Sequence, residues 1–454
     1  MKPANRSISI EARAMVALAL PVVTDQIGMM SMGFVDTIMV GRLGKESLGA
    51  VGIGVSVYFF YMVFAFGVIS AVGPTVAHAF GAGDRREISR SVGQAFWVAI
   101  ALSALGLVVV WNIGAILRLL GQPPELIPLS ERFIHAMGYG QAANLLYAVL
   151  RAFTVGLGRT RVTMVIAIGA SILNIAADYV LIYGKLGFAP LGVAGAGYAT
   201  AIVQWMMLGS VLWYVLSDRE IRDYRFLREI LPIDLRRLGR LLRLGVPIGV
   251  GNGMEAGIFS LTSLMMGWIS TLALASHQIA INIASVTFMV PLGISTAITT
   301  RVGQAMGAGR RADAALAGGV GIGLAALFMS FTAVLFLTVP RLIIGIYTDD
   351  PVVIDYAMIL LMIAGAFQIF DGIQVSAMGA LRGLKDTAQP MVVNMVAYWL
   401  VGLPFGYLLG FKLGFGGAGL WWGLTTGLAV AAVMHALRFR RRSLRGQGPD
   451  VAGT

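Results

Sequence analysis

The chain has 454 residues, of which 57% are apolar and only 12% are charged. Because an ordinary soluble domain is about 25% charged, this composition excludes a soluble globular protein and indicates an integral membrane protein. The chain has no cysteine, which excludes disulfides, thiolate nucleophiles and cysteine-ligated metals. The net charge of +12 could suit nucleic acid through the basic RFRRRSLR segment near the C-terminus, but membrane topology and anionic lipid explain it better.

Apolar runs of about 18 residues or more recur from end to end, and runs of this length are typical of transmembrane helices. A cleaved signal peptide is not expected, because the polar N-terminus leads directly into a long span. The sequence therefore predicts an all-α integral membrane protein with twelve transmembrane helices. In chain order the predicted spans are residues 14–41, 48–72, 91–117, 127–150, 161–183, 191–216, 244–269, 275–300, 314–338, 353–376, 390–410 and 415–437.

The basic residues are distributed unequally between the two sides of this topology. One side holds the basic residues of both termini, those of the polar segment 219–243 and most of the remaining Lys and Arg. The other side has only Arg42, Lys45, Arg118, Arg132, Lys185, Arg341 and Lys412. Since cytoplasmic loops have the excess of Lys and Arg, both termini are predicted to lie in the cytoplasm, with the chain in the inner (plasma) membrane.

The chain repeats itself at an offset of about 226 residues. Pro21 matches Pro247, the GAG turn at 81–83 matches that at 307–309, and KLGF at 185–188 recurs at 412–415. An even number of spans per repeat gives two halves of the same orientation, an arrangement known from transporters. The predicted organisation is a six-helix lobe at 1–217, a basic cytoplasmic linker at 218–243, a second six-helix lobe at 244–437 and a basic tail at 438–454.

Two acidic residues, Glu131 and Asp355, lie near the ends of predicted spans, and five lie deeper within them: Asp25, Asp36, Asp178, Glu255 and Asp371. A carboxylate at the centre of a bilayer costs roughly 2.5 to 3.5 kcal/mol. The only basic residues within the predicted spans, Arg132 and Arg161, lie near the starts of their spans, so none is expected to pair with these acids. Such an acid either takes up a proton or holds a cation, and both outcomes suit ion-coupled transport. An acid that only joins two helices is the structural alternative, and it is a poorer explanation for several acids together.

In the first half, Asp36 and Asp178 both lie near the outer ends of their spans, so we expect them at the same depth. Asn174 and Asp178 are one turn apart on a single helix face, and Thr200 can add a hydroxyl from the next span. Carboxylate, amide and hydroxyl oxygens suit Na⁺ or a proton relay. We hypothesise that these four residues form an ion-operated or proton-operated switch around Asp36.

In the second half, Glu255 lies in GVPIGVGNGMEAGIF, where glycines predict either a bent or locally unwound helix or close packing against a neighbour. Asp371 shares one helix face with Phe367, Gln374 and Met378. That row suits the wall of a cavity for a flat organic cation, although a structural stripe of Met and Phe is the commoner use of such spacing. Two further candidates for the substrate cavity, in ASHQIAIN, are Gln278 and Asn282.

Several segments resemble the multidrug and toxic compound extrusion (MATE) family: VDTIMVGRLG around Asp36, LNIAADYVLIYG, PLGVAGAGYAT, ASHQIAIN and ALRGLKDT. The acids Glu255 and Asp371 resemble those of its NorM-type bacterial branch. The resemblance covers residues from about 10 to 440. It implies twelve helices in two lobes around a cleft, and export of drugs in exchange for a cation by alternating access.

The resemblance also implies roles for individual residues. Glu255 and Asp371 match the cation site of the second lobe in the NorM-type branch, with Na⁺ as its metal ion. Phe367 stands where some members have a tyrosine, so one oxygen contact is missing and the coupling ion stays open between Na⁺ and H⁺. The cation or proton site of the first lobe is matched by Asp36, Asn174, Asp178 and Thr200.

The expected function is secondary active multidrug efflux, in which amphipathic organic cations such as drugs and dyes leave in exchange for Na⁺ or H⁺. No ATP-binding motif is present, and we expect no organic cofactor, no nucleic-acid partner, no enzymatic activity and a monomer in the bilayer. A flippase for lipid-linked oligosaccharides is one alternative, but its cavity should have basic residues for pyrophosphate. A membrane-embedded enzyme is another, but no nucleophile and base motif typical of one occurs.

Overall fold

The computed structural model describes residues 7–224 and 226–444, and the regular secondary structure of these residues is helical throughout. A helix satisfies its backbone N–H and C=O groups internally, as lipid requires. The helices of the first half are α1 (Ile8–Gly41), α2 (Lys45–Ser70), α3 (Val72–Gly81), α4 (Arg85–Trp111), α5 (Ile113–Leu119), α6 (Ile127–Gly138), α7 (Gln141–Gly156), α8 (Thr160–Tyr183), α9 (Val193–Ser217) and α10 (Arg219–Arg222).

The second half begins after a 3₁₀ turn at Phe226–Glu229. Two π-helical segments, Met395–Gly402 and Leu408–Lys412, lie on either side of α17. The helices are α11 (Leu235–Ile269), α12 (Thr271–Gly307), α13 (Arg311–Thr338), α14 (Pro340–Ile344), α15 (Pro351–Gly383), α16 (Ala388–Asn394), α17 (Leu403–Tyr407) and α18 (Gly416–Leu444).

Ten helical stretches among the described residues are long and apolar enough to cross a membrane. The other two predicted spans are helical as well. The fourth is divided between α6 and α7 at Tyr139–Gly140, and the seventh lies in α11, whose first turns are rich in arginine. The prediction of an all-α membrane protein is therefore confirmed, with ten of the twelve predicted spans among these stretches and the other two regions helical. The chain is a multi-pass membrane protein.

The predicted repeat is present in the backbone of the GAG turns. Gly83 and Gly309 both have a φ of 72°, a left-handed conformation that glycine adopts without the steric penalty of a Cβ. In each turn the next residue donates its N–H to the carbonyl five residues back over 2.9 Å, in the pairs Asp84 to Ala79 and Arg310 to Ala305. The two halves therefore end matching helices in the same way.

The described chain divides into two compact units. The N-terminal unit consists of Thr24–Phe80 and Asp84–Gly249. The C-terminal unit consists of the residues up to Val23, the short segment Gly81–Gly83 and the residues from Val250 onward.

The boundaries of these units differ from the lobes predicted at the polar linker, because they pass through helices. Helix α1 changes unit after Val23, and α11 changes unit after Gly249. Each position follows a proline of the repeat, Pro21 or Pro247, by two residues. Proline removes one helical hydrogen bond and bends a helix, so these prolines mark where the first helix of each repeat joins the packing of its own half.

The first part of α11 packs against α2 of the N-terminal unit through glycines. A Cβ on Gly67 would collide with the backbone of Gly249, and one on Gly245 would collide with the carbonyl of Val68. Helix α11 is continuous from Leu235 to Ile269. Of the two predictions for the glycines before Glu255, close packing is therefore confirmed for Gly245 and Gly249, whereas the helix is not unwound.

The polar segment between the halves packs against α4. The side-chain amide of Gln94 donates to the carbonyl of Pro232 over 2.7 Å, and the indole N–H of Trp97 donates to the carbonyl of Ile230 over 2.6 Å. The end of the predicted linker, from Leu235, already belongs to α11. This segment is thus an ordered part of the N-terminal unit.

Asp234 begins α11 as its N-terminal cap. The backbone N–H groups of Arg236 and Arg237 donate to Oδ1 of Asp234 over 3.0 and 3.1 Å. The N–H of Arg237 is the largest of the contacts that hold the pKa of Asp234 below its usual range. The carboxylate therefore satisfies N–H groups that have no partner within the helix.

Candidate ion and substrate sites

Asp36, in the second half of α1, contacts α8 and α9 within the N-terminal unit. The hydroxyl of Thr200 lies 3.3 Å from Oδ2 of Asp36 and 3.0 Å from the carbonyl of Ala196, and it can donate to either. The side chains of Asn174 and Asp178 lie within hydrogen-bonding range of the same carboxyl group. The structure thus brings together the four residues that the sequence suggests for the first site.

The surroundings of Asp36 supply oxygen acceptors in excess of donors. Asn174 and Asp178 are 1% and 0% exposed. Although these side chains lie close together, four buried oxygens among the described residues accept no hydrogen bond of good geometry: Oδ1 of Asp36, Oδ1 of Asn174 and both carboxyl oxygens of Asp178. Two ionised carboxylates can only accept hydrogen bonds, and unpaired buried charge is costly. The contact between Asp36 and Asp178 therefore requires a proton or a cation between them.

The donor set around Asp36 fits a small monovalent cation as well as a proton. Two carboxyl groups, an amide and a hydroxyl offer only oxygen ligands, which hard cations prefer. Among residues 7–224 and 226–444, no group of three or more His, Cys, Asp or Glu side chains is arranged to hold a metal ion. A cation here would therefore depend on the neutral oxygens of Asn174 and Thr200.

In the C-terminal unit, Glu255 of α11 and Asp371 of α15 interact electrostatically with each other. Asp371 is 5% exposed. Glu255 also interacts with Arg382, whose guanidinium donates to Oδ1 of Asn252 over 3.0 Å. The expectation that no basic side chain would accompany these acids is wrong, because α15 continues to Gly383 and brings Arg382 to the site.

Sequence reasoning missed Tyr398, which lies beside both acids of this site. Tyr398 is 3% exposed, its hydroxyl lies within hydrogen-bonding range of the Gln374 side chain, and Oδ1 of Asp371 is buried without a hydrogen-bond partner among the described residues. A phenol oxygen is thus present, although Phe367 stands where the resemblance leads one to expect a tyrosine. Pro404 is the feature of the sequence that could have indicated this irregularity, because a proline removes the helical hydrogen bond to the residue one turn earlier. That turn belongs to the π-helical segment Met395–Gly402, which contains Tyr398.

The predicted cavity wall along α15 is buried inside the C-terminal unit. Phe367 is 2% exposed and packs against the rings of Phe259 and Trp421, with centroids 6.0 and 5.5 Å away. The sulfur of Met378 lies 4.0 Å from the amide of Gln374 and 3.7 Å from that of Asn394. In this structure Phe367 belongs to the aromatic core, and the other two side chains belong to a polar network.

That polar network extends to α18. The imidazole Nε2 of His435 lies 2.8 Å from Oδ1 of Asn394, and His435 is 0% exposed. The remaining cavity candidates lie on α12, where Gln278 is exposed and Asn282 is partly buried. Asn282 accepts a hydrogen bond of 2.9 Å from the hydroxyl of Tyr347. No hydrogen bond in the described part of the chain joins these two residues to the acids of the C-terminal unit.

Asp25, the fifth acid within a predicted span, is paired with Arg151. The guanidinium Nε of Arg151 donates to Oδ2 of Asp25 over 2.6 Å, and its Nη2 donates to Oε1 of Gln26 over 2.9 Å. The sequence analysis placed Arg151 in a loop, but α7 continues to Gly156 and keeps it within a helix. For Asp25 the expectation of an unpaired acid is therefore wrong.

Comparison with known proteins agrees with this fold. The MatE family model matches residues 21–180 and 247–408, one match in each half. The probable multidrug resistance protein NorM of Pseudomonas aeruginosa is 39% identical over 441 residues, which cover 96% of this chain and 90% of that protein. The multidrug resistance protein MdtK of Yersinia pestis is 36% identical over 436 residues, which cover 95% of this chain and 95% of that protein.

Solved structures of MATE transporters have the same fold. A eukaryotic MATE transporter matches with a TM-score of 0.83 and 22% identity, covering 96% of this chain and 98% of that one. An outward-facing multidrug resistance MATE family transporter matches with a TM-score of 0.86 and 21% identity, covering 95% and 96%. With the family model matched in both halves and relatives aligned over nearly their whole length, this chain belongs to the MatE family of transporters.

Proposed function

We propose that this protein is a secondary active multidrug efflux antiporter that exports amphipathic organic cations in exchange for Na⁺ or H⁺. The proposal rests on one observation: each unit contains its own pair of acids, Asp36 with Asp178 and Glu255 with Asp371. Relatives named multidrug resistance proteins, at 39% and 36% identity, support the substrate class.

The acids of the N-terminal unit support ion coupling. Asp36 and Asp178 need a proton or cation to lie against each other, so loss of that ion weakens the contact between α1 and α8. A cationic drug and the coupling ion both favour negative charge, and each therefore weakens binding of the other by the same factor. We propose the cluster of Asp36, Asn174, Asp178 and Thr200 as the ion-operated switch.

The acids of the C-terminal unit support binding of a single positive charge. With Glu255 and Asp371 ionised, Arg382 offsets one of the two negative charges. One proton, one Na⁺ or one monovalent organic cation then neutralises the remainder, whereas a second cation would be repelled. We propose Glu255 and Asp371 as the cation ligands of this unit, with the hydroxyl of Tyr398 beside them.

The basic residues of the loops support a topology with both termini in the cytoplasm of the cell and the chain in the inner membrane. Each acid pair is formed within a single chain, so we propose that one chain is the transporting unit. No organic cofactor enters the proposal, since an ion gradient supplies the free energy of transport.

Ethidium transport into everted membrane vesicles tests the proposal and identifies the ion. A Na⁺ gradient and a pH gradient are imposed separately on vesicles with matched amounts of wild-type protein and of Asp36→Asn. We expect ethidium accumulation in the wild type with one of the two gradients and not in the variant. Accumulation that needs neither gradient, or that proceeds equally in the variant, would contradict ion-coupled efflux through this site.

A further inference from the structure

The Asp25–Arg151 pair holds the segment of α1 that packs in the N-terminal unit, from Thr24 to Gly41. Asp25 is the second residue of that segment, and its side chain is 0% exposed, whereas that of Arg151 is 27% exposed. The guanidinium contacts Asp25 and its neighbour Gln26 together. Two consecutive residues of α1 are thus bonded to one side chain of α7.

Asp25 and Asp36 lie on the same face of α1. They are eleven positions apart, which is close to three full turns of an α-helix. Their side chains therefore point in directions that differ by only about 20°, and they lie roughly 16 Å apart along the helix axis. Both acids therefore reach the packed helices of the N-terminal unit, Asp25 at the beginning of the segment and Asp36 near its end. At Asp25 the positive charge is supplied by Arg151 of the protein, whereas the contact at Asp36 needs a proton or cation from solution.

Apart from the side chain of Asp36, the described hydrogen bonds from α8 to this segment of α1 go to backbone carbonyls, one between the two acids and one just beyond Asp36. The hydroxyl of Ser171 donates to the carbonyl of Gly28 over 3.0 Å, and the hydroxyl of Tyr183 donates to that of Met39 over 2.9 Å. Losing a neutral hydrogen bond of this kind costs less free energy than removing one partner of a buried charge pair. The segment therefore has a charge pair at its beginning, whereas near its end one neutral hydrogen bond is independent of the ion and the carboxyl contact of Asp36 depends on it.

We propose that Asp25 and Arg151 are positioning residues that form the fixed anchor of this segment, and that the anchor makes ion binding at Asp36 bend α1. With the anchor in place, gain or loss of the ion moves only the Asp36 end relative to α8. Without the anchor, the segment shifts as a whole, and ion binding at Asp36 no longer determines the bend of α1. This inference rests on the proposed function, because it assigns a role within ion coupling.

Ethidium binding to the purified protein measures the coupling. The dissociation constant is determined with and without the coupling ion, and the ratio of the two values is the coupling factor. The variants are Asp25→Asn, Arg151→Gln and the exchange Asp25→Arg with Arg151→Asp. Glu11→Gln is the matched control, since it breaks a buried ion pair with Arg301 in the C-terminal unit, where Glu11 is 1% exposed.

We expect both single variants to bind ethidium within about twofold of wild type in the ion-free state, while the coupling factor falls from the usual 5-fold to 150-fold range toward one. The exchange should restore at least part of the factor, and Glu11→Gln should keep all of it. A wild-type factor in the single variants, or no recovery in a folded exchange variant, would overturn the anchor.

The distance between two spin labels provides a second test, which does not depend on ethidium binding. The chain has no cysteine, so a cysteine introduced for a spin label is labelled alone. The two labels are placed at the exposed residues Ile38 of α1 and Leu186 of the loop between α8 and α9. The ion should change this distance in wild type and not in Asp25→Asn. An ion-independent distance in wild type would refute the switch at Asp36 itself, and an unaltered response in Asp25→Asn would refute only the anchor.

Discussion

The carboxyl group of Asp36 in α1 lies against that of Asp178 in α8, and the side chains that complete the contact are an amide and a hydroxyl. Neither Asn174 nor Thr200 can supply the positive charge that two carboxylates need. The pair is therefore stable only with a bound proton or cation, which connects the packing of α1 directly to ion occupancy.

Replacing Asp36 by Asn should remove the ion dependence of drug binding. Asparagine keeps the volume and donates a hydrogen bond to Asp178, so the contact between α1 and α8 no longer needs an ion. In wild type, ethidium affinity should fall as pH falls or Na⁺ rises. Fluorescence titration of both proteins across pH and Na⁺ checks this, and a variant that keeps the full wild-type dependence would show that Asp36 is not the switch.

Asp371→Asn should abolish ethidium export while the protein reaches its normal level in the membrane. The substitution preserves shape and hydrogen bonding but removes one of the two negative charges of the acid pair, of which Arg382 offsets one through Glu255. Glu255 and Arg382 then balance each other, and no charge is left to attract a cation. Efflux from cells is measured against membrane protein level, and wild-type efflux at equal level would refute the role of Asp371.

Neutralising Glu255 and Asp371 together should cost no more transport than neutralising either alone. Residues that act as one unit do not have additive effects, and the cluster needs both negative charges to exceed the single positive charge of Arg382. Initial rates of ethidium efflux for Glu255→Gln, Asp371→Asn and the double variant decide this. Partial losses that multiply in the double variant would indicate two independent sites.

Arg382→Gln should lower the thermal stability of the folded protein, and adding Glu255→Gln should recover much of the loss. Removal of one partner of a charge pair leaves the other charge uncompensated, and because Glu255 and Arg382 are both partly exposed, the loss should be smaller than the ~3–5 kcal/mol of a fully buried pair. Unfolding temperatures in detergent provide the measurement. Equal temperatures for Arg382→Gln and wild type would mean that Arg382 is not needed to compensate Glu255.

Gly67→Ala should destabilise the N-terminal unit, since its Cβ would collide with the backbone of Gly249 and force α2 away from α11. Overpacking of this kind costs about 1–3 kcal/mol. Gly73→Ala in α3 is the control, because a Cβ there meets no atom within 4 Å and should leave thermal stability unchanged or slightly raised. A Gly67→Ala protein as stable as the control would contradict the close approach.

The sequence by itself determined the class of protein, the repeat and the identity of the main acids. Length and apolarity of the runs predict membrane helices because lipid leaves the backbone no other way to satisfy its polar groups. The GAG turns predict the duplication because only glycine adopts their left-handed conformation freely. Asn174 and Asp178 were predicted to act together because four residues along one helix fix two side chains on one face.

Only the tertiary structure decided which acids have a partner. Asp25 and Arg151 are 126 residues apart, and Arg382 reaches Glu255 from a different helix, so neither pairing follows from a local pattern. Both arginines were assigned to loops, because hydropathy alone ends a span at the first charge although the helix continues. Tyr398 reaches the acids through a π-helical turn. Such contacts depend on how helices pack and where they end, and packing is a property of the whole fold.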